Sequence, residues 1–464
     1  MKKTKSLIIV LVILLAPCLV FLGMAIKPVY VTDITKAGNN TYTVTYSNGE
    51  KSSITTTGED GKDGEDLSLE QIKAYCTANG LDFYEFLQNN FGVSSNPNKF
   101  ATTVGLKSAV SIYAEFPIMS YGEKDTSVSC GAGIIYKMNN DYSYIITNYH
   151  VVYYSNSRTT NKISNRINLF QYGTFQKAYK TNSYFNGYPV IEYSAGAVSC
   201  EYVGGALNYD IAILKVSTQD LLEVNPDVRA VDIASGYHIA DTAIAIGNPE
   251  SQGISVTEGV ISVISEDIKM KGADNVTNCE FRVMRIDTAI NGGNSGGGLF
   301  NVYGELIGIV NAKCIKENIQ NIAYAIPVDN VTKVADNIIY YHELTNSISQ
   351  VKKFSFDLTV IAMNPRAIYE NGNVYLKDDI TVESINESSP AQSLDLELGD
   401  IINSITIKRG NTHNTIEFTR IYEFTESSLL IHSGDIISLN ITRAGSTFNT
   451  IEYTVDSTNL KTIA

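Results

Sequence analysis

The cysteines of this 464-residue sequence show none of the spacings that bind metals. There is no C-x-x-C pair and no histidine-rich partner motif, so we predict no metal site and no nucleotide cofactor. One cysteine lies in an N-terminal apolar segment, which leaves an odd number outside it. In an exported protein that implies a free thiol or an intermolecular bond. The six are Cys18, Cys76, Cys130, Cys200, Cys279 and Cys314.

Basic residues are also scarce. The sequence has 35 lysines and arginines against 49 acidic residues, which gives a net charge of −14, and it contains no basic stripe. A surface of this kind repels the phosphate backbone of nucleic acids. We therefore predict no nucleic-acid binding, and we attribute the acidity to solubility.

Charge is absent from Leu7 to Ile26, a stretch of about the length at which a helix spans the hydrocarbon core of a bilayer. Three lysines precede it, so the positive-inside rule places the N-terminus in the cytoplasm. We predict that residues 1–27 are a basic tip and transmembrane anchor, that residues 7–26 contact lipid, and that the rest of this single-pass cell-membrane protein is extracytoplasmic. A lipoprotein signal around Cys18 and a cleaved signal peptide are alternatives with the same topology.

Sustained helical periodicity is rare, whereas short apolar runs between Gly, Asn and Asp turns are common, which predicts a mainly β protein. The longest block, 100–342, has the many short strands of a barrel or sandwich. Within it, residues 153–200 include a Tyr/Asn/Ser-rich stretch that we interpret as an enlarged surface loop. The other predicted regions are a β-hairpin unit at 28–58, a Gly-rich linker at 59–66, a short helical pair at 67–95 and a smaller α+β block at 353–458.

Three segments of the long block carry chemistry. They are TNYHVV with His150, DIAILKV with Asp210, and AINGGNSGGGLFN with Ser295. A serine is a poor nucleophile until a base removes its proton, and a histidine suits that task near neutral pH. The imidazole in turn needs a carboxylate to fix its tautomer, and the serine needs converging backbone N–H groups around the developing oxyanion.

These segments resemble the HtrA family of chymotrypsin-fold serine proteases, as do AIGNP at 245–249, SVTEGVIS at 255–262 and YAIPV at 324–328. The resemblance implies a chymotrypsin-like double β-barrel with the active site between the barrels. It makes His150 the general base, Asp210 its orienting carboxylate and Ser295 the nucleophile. Oxyanion N–H groups would come from Gly293, Asn294 and Ser295.

The loop around the nucleophile departs from the family in one respect. The family usually has proline where Gly292 and Gly298 stand, so we expect a looser loop and a less preorganised oxyanion site. The resemblance also places Ala289 and Ile290 at the base of the primary specificity pocket. Since neither is acidic, we expect cleavage after small or medium aliphatic residues. A strand containing Asn311, Ala312 and Lys313 would pair with the substrate backbone.

The C-terminal block resembles a PDZ domain through residues 380–394 and the LGDII run at 398–402. A PDZ domain binds a peptide C-terminus by strand addition. Its carboxylate-binding loop should fall near 357–364 but has no recognisable motif there, so a purely structural role stays open. The resemblance further suggests polypeptide substrates and a homotrimer.

Two rival interpretations were weighed against the protease. The motif G-x-S-x-G at 293–297 also occurs in α/β-hydrolases, but that fold needs a helix after the serine, which this glycine-rich run disfavours. The second rival is an inactive protease-like scaffold or peptide-binding sensor. The sequence favours a membrane-anchored, extracytoplasmic HtrA-like serine endopeptidase that cleaves unfolded or mislocalised proteins.

Overall fold

The computed structural model describes residues 31–38, 41–46, 51–55, 96–311, 322–370 and 373–463, with single positions at 73, 76, 81, 83 and 86. The chain divides into two compact units, residues 1–100 and 101–464. Across the described ranges, no helix has the length and apolar character needed to cross a membrane. The anchor predicted at 7–26 and the linker predicted at 59–66 lie outside the described residues.

The first unit contains a three-stranded antiparallel sheet. Strand β1 (Val31–Gly38) pairs with β2 (Thr41–Tyr46), which pairs with β3 (Lys51–Thr55). The β-branched and aromatic residues that recur in these strands favour extended backbone. Further along, positions 73, 76, 83 and 86 are helical.

A closed six-stranded barrel begins the second unit, in the order β10-β11-β6-β5-β4-β7. Its core holds fully buried side chains such as Ile112, Leu169 and Leu214, each worth roughly 1.5–3 kcal/mol on burial. The elements of this part are α1 (Pro97–Gly105), β4 (Ala109–Ser120), β5 (Glu123–Met138), β6 (Tyr142–Thr147), α2 (Tyr149–Val152), β7 (Ile167–Gln171), β8 (Ala178–Phe185), β9 (Tyr188–Tyr193), β10 (Val198–Ala206), β11 (Ile211–Ser217) and α3 (Thr218–Val224).

Within residues 153–200, the structure has regular strands and not only the surface loop that the sequence predicted. Strand β7 is a member of the barrel, and β8 and β9 form a separate two-stranded hairpin. Most side chains of β8 are exposed, so its sequence lacks the apolar alternation by which a half-buried strand is recognised.

A second closed barrel follows, in the order β12-β13-β14-β17-β16-β15. Its elements are β12 (Thr242–Gly247), a 3-10 turn (Pro249–Ser251), β13 (Ser255–Lys271), β14 (Asn278–Ile286), β15 (Gly298–Phe300), β16 (Leu306–Val310), β17 (Ala323–Pro327) and α4 (Val328–Thr345). Helix α4 spans 18 residues and follows β17 directly. It ends at Asn346, which adopts the left-handed conformation typical of a helix C-terminus. The two barrels fit the expected chymotrypsin-like fold.

The remaining residues form a seven-stranded sheet and a small two-stranded sheet, β18-β26. The larger sheet runs β19-β20-β21-β23-β24, with β22 beside β21 and β25 beside β23. The elements are β18 (Val351–Phe354), β19 (Leu358–Glu370), β20 (Asn373–Ile385), α5 (Pro390–Ser393), β21 (Ile401–Arg409), β22 (Thr412–Glu417), α6 (Ile421–Ser427), β23 (Ile436–Arg443), β24 (Ser446–Asn449), β25 (Tyr453–Thr454), a 3-10 turn (Ser457–Asn459) and β26 (Leu460–Ile463).

A buried ion cluster ties this sheet to the second barrel. The Arg282 guanidinium on β14 lies 2.5 Å from Glu426 on α6 and 2.5 Å from Asp329 on α4. Lys333 lies 2.9 Å from Glu426. Because Arg282 and Glu426 are both more than nine-tenths buried, neither charge has water as an alternative partner.

Candidate active site

His150 enters the site from a short helix at the end of β6. The strand stops at Thr147, and Asn148 is fully buried, with its side-chain amide donating to the Asp210 carbonyl at 2.9 Å. That bond, together with the Tyr149 amide donating to the same carbonyl at 3.0 Å, fixes the start of α2 against the turn after β10. These two hydrogen bonds fix the backbone that carries the His150 imidazole next to Asp210.

Asp210 receives two hydrogen bonds from His150. Its Oδ2 lies 2.7 Å from the imidazole Nδ1, and its Oδ1 accepts the His150 backbone amide at 3.0 Å. The residue is 3% exposed and adopts φ of 52°, a left-handed conformation that aspartate tolerates better than most residues. Because an ionised carboxylate only accepts, the proton of the neutral imidazole must lie on Nδ1.

Ser295 completes the chain of contacts on the other side of the ring. Its Oγ lies 2.8 Å from the His150 Nε2. With the imidazole proton on Nδ1, Nε2 is an acceptor, so the serine hydroxyl donates to it. The Ser295 carbonyl accepts from the Ala132 amide at 2.8 Å, and the following Gly296 amide donates to Val310 at 3.0 Å. Both barrels thus hold the nucleophile loop.

The loop before Ser295 is anchored by the turn that follows β12. The Glu250 amide donates to the Gly292 carbonyl at 2.8 Å, and the Asn248 amide donates to the Gly293 carbonyl at 3.3 Å. In a trans peptide the N–H points opposite to the carbonyl. Since the Gly292 carbonyl faces Glu250, the Gly293 N–H faces the other way. Among the described residues the Gly293 and Ser295 amides have no hydrogen-bond partner, so both are available to an oxyanion.

One expectation about this loop needs correction. The Asn294 amide donates to the Asn291 carbonyl at 3.1 Å, so it is not one of the oxyanion donors. The looser loop expected from Gly292 and Gly298 stays a prediction. At Gly298, a Cβ would lie 2.6 Å from the Phe300 ring and 2.8 Å from the Ile134 side chain, so any larger residue there requires these side chains to shift.

The predicted substrate-binding residues fall into different places. Asn311 is fully buried, and its side-chain amide donates to the Asp210 Oδ2 at 3.0 Å. This orienting contact was not foreseen, because nothing in the sequence relates the end of β16 to the turn after β10. Ile290 is buried in the core of the second barrel, and Ala289 is exposed. Ala312 and Lys313 lie outside the described residues.

The arrangement can transfer a proton from the Ser295 hydroxyl to the His150 imidazole and can stabilise the resulting imidazolium through Asp210. Within the described ranges, no group of three or more His, Cys, Asp or Glu side chains could hold a metal ion. Among the described residues, Cys130 and Cys200 form no disulfide.

Comparison with known proteins matches residues 131–309 to the trypsin-like peptidase domain. The serine protease Do-like HtrA of Bacillus subtilis is 27% identical over 61% of this chain and 55% of its own length. The serine protease HtrA-like of Staphylococcus haemolyticus is 26% identical over 71% of this chain and 48% of its own. The chain thus spans about half the length of the curated relatives it matches.

Among solved structures, the HtrA-type protease AlgW with decapeptide aligns with a TM-score of 0.46 and 21% identity, covering 78% of this chain and 98% of that chain. The chain therefore contains a trypsin-like peptidase domain and is similar to HtrA-type serine proteases.

Proposed function

We propose that the protein is a serine endopeptidase that works through an acyl-enzyme on Ser295. The observation that carries the proposal is the continuous chain from the Asp210 carboxylate through both nitrogens of His150 to the Ser295 hydroxyl, with links of 2.7 and 2.8 Å. The amides of Gly293 and Ser295 have no hydrogen-bond partner among the described residues and can serve as oxyanion donors. Nucleophile, base, orienting carboxylate and oxyanion donors are the parts that peptide-bond hydrolysis by a serine requires.

In the proposed reaction, His150 takes the hydroxyl proton as the Ser295 Oγ attacks the scissile carbonyl. The carbonyl oxygen becomes an oxyanion and is stabilised by the Gly293 and Ser295 amides. The imidazolium then gives its proton to the leaving amine, and water repeats the sequence to release the acyl group. Asp210 stays ionised throughout, and the Asn311 amide keeps its carboxylate in the orientation that His150 needs.

Labelling of Ser295 with a fluorophosphonate tests this proposal, with Ser295→Ala as the control. We expect labelling of the unsubstituted protein that is abolished in Ser295→Ala, together with cleavage of unfolded casein that is lost in the same variant. An inactive scaffold predicts the opposite result, namely no labelling of a protein that is folded and still binds peptides.

The substrates proposed are unfolded or mislocalised proteins outside the cytoplasm, on the strength of the relationship to HtrA proteases. Residues 7–26 are proposed to anchor the protein in the cell membrane. The primary pocket is proposed to accept small or medium aliphatic side chains, because Ala289 and Ile290 supply no charge. Cleavage-site profiling of the purified extracytoplasmic part tests that preference, and acidic or basic residues before the cut would contradict it.

We further propose that the C-terminal sheet is a PDZ-like domain. The expected PDZ features lie on neighbouring elements, with 380–385 in β20, the short helix α5 at Pro390–Ser393, and 401–402 at the start of β21. Where the carboxylate-binding loop was expected, the chain instead forms most of the long strand β19. A homotrimer is proposed from the family relationship alone, and sedimentation equilibrium tests it.

A further inference from the structure

Two β-hairpins end next to each other at one side of the first barrel. Strand β7 pairs with β4 as far as Ala114, and β6 pairs with β5 from Ile134 onward. Beyond those residues the β4–β5 hairpin continues to its turn at 121–122. The Lys124 ammonium donates at 3.0 Å to the carbonyl of Asn186, which lies in the turn of the β8–β9 hairpin. The two turns are therefore neighbours.

The two hairpins brace each other below their turns. The Thr126 hydroxyl of β5 donates to the Pro189 carbonyl of β9 at 2.7 Å. The Lys180 ammonium of β8 donates to the Asp125 carboxylate of β5 at 2.5 Å. A lone two-stranded hairpin is marginally stable in water, whereas four strands in mutual contact can hold a defined shape. The paired turns thus form the end of a braced projection and not a free loop.

Tyr121 does not suit the turn that it occupies. Both turns place two residues in succession at positive φ, with values of 50° and 87° for Tyr121 and Gly122, and 52° and 82° for Asn186 and Gly187. Turns of this kind favour Asn-Gly, because asparagine tolerates the left-handed region and a bulky side chain does not. Residue Tyr121 is also fully exposed, at 106%. A strained and exposed aromatic residue is typical of a position selected for an external contact.

Further apolar side chains are exposed beside the same two turns. Tyr184 and Phe185 end β8 and are 67% and 73% exposed. Met119 lies near the end of β4 and is 41% exposed. Hairpin turns ordinarily carry small polar residues, because they face water. We call the four residues Met119, Tyr121, Tyr184 and Phe185 the hairpin tip.

The surroundings of the hairpin tip are electrically balanced, although the protein as a whole is acidic. The net charge of the chain is −14. Beside the tip, Glu123 and Lys124 are adjacent and opposite in charge, and Asp125 is paired with Lys180. An acidic surface is repelled by anionic lipid headgroups, whereas a balanced aromatic region is not. Tyrosine in particular is enriched where membrane and water meet, because its ring is apolar and its hydroxyl is polar.

We propose that the hairpin tip inserts into the headgroup region of a phospholipid bilayer and holds the peptidase domain at its surface. The inference rests on the membrane anchor proposed at 7–26 and not on the peptidase chemistry. An anchor keeps the tip close to the bilayer, so that even a weak contact acts at a high effective concentration. From Glu123 to Ala132, whose amide contacts the nucleophile loop, β5 spans roughly 30 Å at about 3.3 Å per residue. Docking would hold the active site within about that distance of the lipid surface.

The test uses the absence of tryptophan from the sequence, which makes Tyr121→Trp a single fluorophore. The full chain is reconstituted into phosphatidylcholine vesicles. We expect the emission of Tyr121→Trp to shift to shorter wavelength and to be quenched when the acyl chains are brominated. Adding Tyr184→Ala and Phe185→Ala should reduce this quenching at least about threefold, because less apolar surface is then buried in the interface.

Tyr369→Trp is the matched control, because Tyr369 lies on β19 in the C-terminal sheet and is 78% exposed. Its emission should show neither change. Tyr121→Asn tests the argument from strain. Asparagine suits the turn, so the urea concentration at the unfolding midpoint should rise, while fluorophosphonate labelling of Ser295 stays within about twofold. A lower midpoint would remove the reason for assigning Tyr121 an external contact.

Three results would overturn the docking. If the protein floats with the vesicles but Tyr121→Trp emits like Tyr369→Trp, the docking fails and the anchor stands. A shift to shorter wavelength that brominated lipid does not quench, and that grows with protein concentration, would replace the bilayer by a second copy of the chain. Protein that stays in the aqueous phase with Tyr121→Trp unquenched would remove the anchor and the docking together. Labelling of Ser295 reports the peptidase function separately in each case.

Discussion

Replacing Gly293 by alanine should disable the oxyanion site. Gly293 has φ of 98°, in the region that favours glycine. A Cβ at this position would stand 2.1 Å from the Asn248 carbonyl oxygen and 2.9 Å from the Glu250 nitrogen. Both atoms belong to backbone, which cannot swing aside as a flexible side chain would. The peptide between Gly292 and Gly293 must therefore rotate, and its N–H loses the direction that makes it an oxyanion donor.

The expected size of the effect follows from the loss of one donor. Removing a single oxyanion hydrogen bond typically lowers kcat by about 10²–10³, or roughly 2.7–4 kcal/mol of transition-state stabilisation. We expect that fall in kcat on a casein peptide, with KM changed by less than about threefold because the ground-state carbonyl depends less on this donor. Fluorophosphonate labelling of Ser295 should slow in parallel.

Gly292→Ala is the matched control for this prediction. A Cβ at Gly292 meets nothing within 4 Å, and the residue is not in the left-handed region. We expect its kcat to stay within about threefold of the unsubstituted enzyme. If Gly293→Ala also stayed within that range, or if both variants fell equally, the assignment of the Gly293 amide to the oxyanion would be refuted.

Three further predictions concern the base and the stability of the fold. Asp210→Asn should lower kcat by about 10⁴, because an amide no longer selects the imidazole tautomer that accepts the serine proton, and an unchanged kcat would contradict the role given to this carboxylate. Arg282→Met should lower the free energy of unfolding, measured by urea titration, by less than the roughly 3–5 kcal/mol of a fully uncompensated buried charge, because Glu426 loses its guanidinium but keeps Lys333 at 2.9 Å, and adding Glu426→Leu should restore most of the loss. Burial lowers the pKa of His432 to about 4 from an ordinary value of 6.5. As the pH falls, the imidazole is therefore protonated in the unfolded chain before it is protonated in the folded one. The free energy of unfolding should fall as the pH drops from about 6.5 towards 4. The phenyl ring in His432→Phe can keep the stacking on the Tyr340 ring, whose centroid lies 3.8 Å from that of His432. In this variant the urea concentration at the unfolding midpoint should no longer fall between about pH 6.5 and 4. If the midpoint fell as steeply as in the unsubstituted protein, the assignment to His432 would be contradicted.

The residues of the reaction centre could be predicted because each sits in a short contiguous motif. His150 and Asp210 each adjoin a strongly apolar strand, and Ser295 lies in a glycine-rich run, so local sequence marks all three. Several strands of both barrels were predictable for the same reason, since a buried strand shows a run of about five to eight mostly apolar residues, whereas barrel strand β7 was not predicted.

The contacts that hold the centre in shape could not be predicted. Glu250 has φ of 52°, and its amide reaches Gly292 across 42 positions of sequence, a relation that only the folded barrel creates. The Asn311 amide reaches Asp210 across a separation of 101 positions. The hairpin of β8 and β9 was not predicted because most side chains of β8 are exposed. Its sequence therefore lacks the alternation of apolar and polar residues that marks a half-buried strand, and its Tyr, Asn and Ser residues were interpreted as a loop.

The central claim is that Ser295 becomes covalently acylated with His150 as its base. Intact-mass spectrometry during turnover of an activated ester, such as a p-nitrophenyl ester of a short aliphatic peptide, measures this directly. The account predicts a burst of p-nitrophenol and a mass increase equal to the acyl group, mapped to Ser295, with acylation slowed at least about 10³-fold in His150→Ala. Turnover that persists in Ser295→Ala with no adduct on the enzyme would contradict it.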